Sequence, residues 1–193
     1  MKTYSKTEIE KVGNAIVFFA ERISDLSKTK LLKLIYLTEE TFVRGYNIPM
    51  FGLEFDVWQA GPVSRDIYID LSDEQPSLFS EFISTENRDD ATYIKPKTSF
   101  SDDEFSDNEI QVLDTICRKF GNMTATTLVE YTHRKNSLWH IIAKEKDLLE
   151  SFKSGQTNSS DEKIDFTRIL DEDAAETYKE QIYFKQLVGA INR

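Results

Sequence analysis

Residues 28–44 read Lys-Thr-Lys-Leu-Leu-Lys-Leu-Ile-Tyr-Leu-Thr-Glu-Glu-Thr-Phe-Val-Arg. Leu31, Leu34, Ile35, Thr38 and Phe42 recur every three or four positions, the spacing of one helix face turned to a core. The stretch predicts a helix with Gly45 as its left-handed stop and with Lys28, Lys30 and Lys33 facing solvent. Upstream, Ser5 and Glu8 have the spacing of a capping box, in which each residue satisfies a free backbone donor of the other. Ile9, Val12, Ile16, Phe19 and Ile23 follow as one stripe, giving a first helix that ends near Ser24.

Downstream the pattern changes. Pro49 and Gly52 break helix, and Phe55, Val57 and Trp58 favour an extended segment. Gly61-Pro62 is a turn, and Pro62 suits the first position of a helix carrying Val63, Ile67, Tyr68 and Leu71. Residues 76–84 are a candidate short helix. Residues 85–109 are polar and acidic and read as a surface excursion, with Tyr93-Ile94 as a short strand candidate. Ser106 and Glu109 repeat the capping-box spacing ahead of Ile110, Leu113, Ile116, Cys117 and Phe120, and Gly121 stops that helix. Thr124 starts another with Leu128 and Val129 inward, ending near His133. Ser137 caps one holding Leu138, Ile141 and Ile142. Lys153 to Lys163 is a Ser/Asn/Gly-rich loop. A last helix covers about 173–191, with Tyr178, Ile182, Leu187 and Ile191 apolar. The fold class expected is mainly α: a compact single-domain helix assembly with a small β element near 54–58, and 92–95 as a candidate addition.

The 193 residues carry a net charge of −10, with 39% hydrophobic and 30% charged residues, the composition of a globular chain. Counting charges along the sequence gives +2 for residues 1–50, −11 for 51–110 and −1 for 111–193. That balance argues against nucleic-acid backbone binding, which needs cations to displace counterions, and no specific nucleic-acid partner is expected. It suits a basic partner or simply solubility. The longest apolar run, Ala15 to Ala20, is far short of the roughly 20 residues that span a bilayer. The polar N-terminus has no signal-peptide core, so a cytoplasmic location is expected. One cysteine, Cys117, excludes an internal disulfide. It sits on an apolar stripe, which favours an inert thiol.

Catalytic signatures are sparse. The chain has no glycine-rich phosphate loop and no Gly-x-Ser-x-Gly turn. Two histidines and one cysteine do not fill a structural zinc site unless carboxylates join. No catalytic residue, metal or cofactor is therefore assigned. Ser64-Arg65, at an expected helix start, is read first as a solvent-facing turn and second as an anion site. The sequons at Asn122 and Asn158 carry no weight in the cytoplasm.

Three elements are more specific. Lys30 to Tyr36 lies on a helix, Trp58-Gln59-Ala60-Gly61-Pro62-Val63 follows an extended segment, and Phe120-Gly121 precedes Leu128, Thr132-His133 and Trp139. In order and spacing they resemble the Panacea domain, the family of SocA-like antitoxins also met as phage-associated proteins. The run from His133 to Trp139 is longer than the family's and lacks its proline. The resemblance covers about residues 9–143 and divides the chain into a helical domain, 1–145, and a loop plus helix, 146–193, packed on the core or projecting from it. Lys33, Tyr36, Trp58, Gly61, Pro62, Val63, Thr132, His133 and Trp139 are its motif residues, and they are read mostly as scaffold.

The resemblance implies a non-enzymatic antitoxin that neutralises a cognate toxin, encoded next door, by direct contact. A family member that delivers its toxin to the ClpXP protease makes a proteolytic adaptor a variant of that reading. The acidic residues Asp102, Asp103, Glu104 and Asp107, or the C-terminal tail, are the candidate partner contacts. The alternatives are a prophage or mobile-element scaffold with no toxin, and a small-ligand enzyme using His133.

Overall fold

The structure is a computed structural model and describes residues 4–73 and 77–191, with side-chain environments up to Val188. Among the described residues it is mainly α, with eight helices and two two-stranded antiparallel sheets. α1 (Lys6–Arg22) and α2 (Lys28–Tyr46) form the centre. Ser5 and Glu8 close the capping box at the start of α1, and the Glu8 carboxylate accepts from the Ser5 backbone N–H at 2.8 Å. Ile16, Phe19, Leu31, Leu34, Ile35 and Phe42 are buried in one cluster, as the two stripes predict.

α2 does not stop at Gly45. It runs a residue further, and Asn47 makes the left-handed cap at φ 60°. Asn is the residue besides glycine that visits this region at low cost. The solvent-facing assignment of the lysines is also corrected. Lys28 is half-buried and bonds Ser72, but Lys30 and Lys33 are buried. Lys30 donates to the Gly121 carbonyl and Lys33 to the Pro62 carbonyl. Each stem is buried while the ammonium reaches a carbonyl from a distant element.

After α2, β1 (Asp56–Trp58) pairs with β2 (Gly61–Val63), Trp58 opposite Gly61. Pro62 therefore lies in a strand rather than opening a helix. The next helix, α3 (Arg65–Asp70), starts behind Ser64. No short helix occupies 76–84: residue 76 lies outside the described residues, and Ser77 to Phe82 form turns that lead into a strand. The Asp70 carboxylate organises those turns by accepting from the backbone N–H groups of Ser77 and Leu78. The acidic stretch holds more order than a surface excursion. β3 (Ile83–Arg88) and β4 (Ala91–Pro96) make a full hairpin, and Ile83 and Ile94 face the core. Its turn is Asp89-Asp90, both at positive φ, the geometry of a type I′ hairpin turn.

α4 (Asp107–Phe120) starts at the second capping box, where the Glu109 carboxylate accepts from the Ser106 backbone N–H. It ends at Gly121, which is right-handed and not the left-handed stop expected. α5 (Ala125–Thr132) and α6 (Leu138–Glu145) follow behind Thr124 and Ser137, with Leu128 and Leu138 fully buried. α7 (Leu148–Lys153) leads into the Ser/Asn/Gly-rich loop. That loop is not free: Val57 N–H donates to Glu162 O, and Ile164 N–H donates to Phe55 O, so residues 162–164 run along the open edge of β1. A 3-10 turn, Phe166–Ile169, then inserts Phe166 against Tyr36 and Phe55. α8 (Glu172–Ile191) closes the fold with Tyr178 inward; the Ile191 side chain lies outside the described residues.

Candidate functional site

The nine motif residues meet at the β1–β2 hairpin. Its turn brings Gly61 to φ +96°, a conformation that costs glycine little and L-residues much. Space gives a second reason. A Cβ on Gly61 would sit 2.7 Å from Thr132 Oγ1 and 3.0 Å from Lys33 Cε. Lys33, one face of α2, holds the next carbonyl, Pro62 O, at 2.7 Å. Val63 is buried beside it. Thr132, the last residue of α5, turns its hydroxyl to Val129 O at 2.8 Å.

From the other side, Trp139 of α6 donates its indole N–H to Trp58 O at 2.8 Å. The His133 ring stacks on Trp139 with centroids 3.7 Å apart and planes at 15°. The long His133-to-Trp139 run permits this because Asn136 turns left-handed at φ 68° and Ser137 then caps α6. Trp58 meets Tyr68 edge-on. Tyr36 lies on the Phe55 side of the same corner, packed on Phe55 and Phe166. α2, the hairpin and the α5–α6 junction are thus held together by hydrogen bonds to two hairpin carbonyls, Trp58 O and Pro62 O, and by the close approach of Thr132 to Gly61.

The electrostatics of this corner follow from its dryness. Lys33 is 1% exposed, and burial pulls its ammonium down to about 7 from an ordinary value of 10.5. Burial, then the neighbouring charges of Lys33 and His140, bring His133 down to about 4, so its imidazole is neutral at pH 7. Burial and the Glu40 carboxylate push the Tyr36 phenol well up. His133 Nε2 and Trp58 Nε1 are buried with no hydrogen-bond partner among the described residues. A general base works best near the operating pH and within reach of substrate. His133 lies well below that range, and Lys33 is shut in beneath the hairpin.

The acidic candidates are elsewhere. Asp102, Asp103 and Glu104 lie on the turn that leads into α4 and Asp107 opens the helix, with Asp102, Asp103 and Asp107 exposed and Glu104 half-buried. Glu104 lines a groove between α1 and α8. Arg65 is not an anion site, because Asp56 and Asp161 both engage it. Asp56, itself buried, also takes Lys163, which fixes the returning loop to β1. Cys117 is half-buried and burial pushes its thiol up, the opposite of an activated thiolate. Among the described residues no group of three or more His, Cys, Asp or Glu side chains could hold a metal ion, and no helix is long and apolar enough to cross a membrane.

Two features escaped the sequence reading. Glu39 is completely buried and accepts from the backbone N–H groups of Phe51 and Gly52, which fixes the chain after α2. Its place four residues after Ile35, on the same inward face, was the available signal. The exposed apolar end of α8 was the other: Tyr183, Phe184, Leu187 and Val188 are spaced as neighbours on one helix face.

No curated protein matches the chain, and no solved structure does. One family model does match, antitoxin SocA-like, Panacea domain, over residues 31–140. That span is more than half of the chain and contains all nine residues of the hairpin corner. With Lys33, the Trp58–Val63 turn and the Thr132–Trp139 junction interlocked as described, the chain belongs to the SocA-like antitoxin family with a Panacea domain.

Proposed function

We propose that this protein is a non-enzymatic antitoxin that binds and neutralises a cognate toxin, encoded next door, in the cytoplasm. The family assignment over residues 31–140 carries the reading. The burial of the motif residues supports it: Lys33, Tyr36, Gly61, Pro62, Val63, Thr132 and Trp139 are all shut away from solvent, which suits a frame that presents other surfaces. The acidic turn Asp102-Asp103-Glu104 with Asp107 is the contact proposed for a basic toxin, where opposite charge speeds encounter. Specific DNA binding by the isolated chain forms no part of the reading.

Co-expression with the product of each flanking gene tests it, reading growth rescue and co-purification together. Rescue with a stable complex is the expected result for masking. Rescue without a complex, lost in a ClpXP-deficient strain, would assign the adaptor variant. If neither flanking product arrests growth, the antitoxin reading fails and a mobile-element scaffold takes its place.

A further inference from the structure

The end of α8 carries an apolar ridge that the rest of the described chain leaves uncovered. Tyr183 is 67% exposed, Phe184 60%, Leu187 44% and Val188 37%. Phe184 and Val188 also form one wall of a groove of about 300 Å³ whose other walls include Thr7 and Lys11 of α1, Phe51 and Glu104. Contiguous exposed apolar surface beside a polar rim marks a place where another molecule sits.

Charge says which kind. The groove's two lysines are engaged: Lys11 Nζ lies 2.7 Å from Glu109, and Lys185 Nζ donates to Met50 O at 3.1 Å. The rim beyond them is acidic, with Glu104 in the wall and Asp102 and Asp103 next to it on the exposed turn. An anionic membrane or nucleic acid would be repelled by this rim and by the net charge of −10. A second copy in a two-fold pair would bring acid onto acid. A helix with an apolar face flanked by Lys or Arg satisfies both the ridge and the rim.

We propose that the groove between α1 and α8 docks a basic amphipathic segment of the toxin. This rests on the antitoxin reading and deepens it. The ridge lies beyond residue 140, outside the segment matched to the family, so partner choice here is a property of this chain's own sequence.

The test uses the full chain and the flanking gene product that arrests growth. Wild-type rescue and co-purification come first; if no flanking product is neutralised, the antitoxin reading itself has failed and the groove proposal falls with it. Given rescue, Phe184→Glu with Val188→Glu is expected to weaken toxin binding at least tenfold with little change in the thermal midpoint, since Phe184 is 60% exposed and Val188 37%. Asp103→Lys with Glu104→Lys is expected to slow association and flatten its salt dependence. Wild-type binding by the Phe184/Val188 variant overturns the groove and leaves the antitoxin reading standing. A benzophenone side chain in place of Leu187 gives an independent readout should the double variant misfold. A covalent adduct with the toxin supports the proposal, and its absence from a formed complex overturns it. A free chain that is dimeric, and that Phe184→Glu makes monomeric, would reassign the groove to self-association and also overturn the proposal.

Discussion

Lys33 places an ammonium where water does not reach, with one carbonyl, Pro62 O, in front of it. Burial lowers its pKa to about 7, against 10.5 in an unfolded chain. Below pH 7 the lysine is protonated in both states, and its burial weighs fully against folding. Between pH 7 and about 10 the unfolded state holds a proton that the native state has lost, so stability rises with pH. Relative to Lys33→Met, urea unfolding of the wild type should therefore gain up to about 1.4 kcal/mol per pH unit across that window. A flat or opposite difference would remove the buried amine from the account. The sequence placed Lys30 and Lys33 in solvent because hydropathy treats lysine as a surface residue. Their acceptors, Pro62 O and Gly121 O, lie 29 and 91 residues away, and no local pattern reveals such a partner. The same distance effect explains why the motif was legible as a string of residues but not as one packed corner.

At the scale of elements, what was local was legible. Both capping boxes, the start of α5 behind Thr124 and the start of α6 behind Ser137 stand where the sequence put them, because a cap is made within four residues. Glu109 shows how a local device acquires a tertiary one. Its Oε2 accepts from the Ser106 backbone while Oε1 meets Lys11 of α1 at 2.7 Å, with both side chains mostly sheltered. Glu109→Ala removes a cap and strands a sheltered ammonium together, and should cost about 2 kcal/mol in chemical denaturation. Glu130→Ala, on the exposed face of α5, should stay within about 0.5 kcal/mol. Equal effects would show that the α1–α4 pair contributes nothing. The β3–β4 hairpin was underread because its outer half is polar on both faces. Its signal was the turn, Asp89-Asp90, where aspartate accepts the left-handed geometry more usually given to Asn-Gly.

For the whole molecule, the segment after residue 145 completes the core rather than hanging from it. Residues 162–164 pair with β1, Lys163 and Asp161 bracket the Asp56–Arg65 pair, and Phe166 fills the space between Tyr36, Phe55 and Tyr178. Phe166 is 3% exposed, so Phe166→Ala opens a cavity against α2 and should cost about 3–5 kcal/mol with a matching fall in thermal midpoint. A loss under about 1 kcal/mol would mean that the space closes without it. This docking was not legible from composition, because the backbone hydrogen bonds of the Ser/Asn/Gly-rich loop are ones any sequence can make, and its ion-pair partners, Asp56 and Arg65, lie about a hundred residues away. The helical class was legible in α1, α2 and α4 to α6, whose stripes repeat within each helix, but not at 76–84, where a helix was expected and Ser77 to Phe82 form turns.

The chain has two tryptophans, and both stand at the hairpin corner, Trp58 in β1 and Trp139 stacked on His133. Its tryptophan emission is therefore a report from one place. A protonated imidazole in face contact with an indole quenches it, so tryptophan emission is expected to fall as acid charges His133, near pH 4. The molecule carries its own optical probe of the interlocked frame, and tyrosine-free excitation reads that frame without a label.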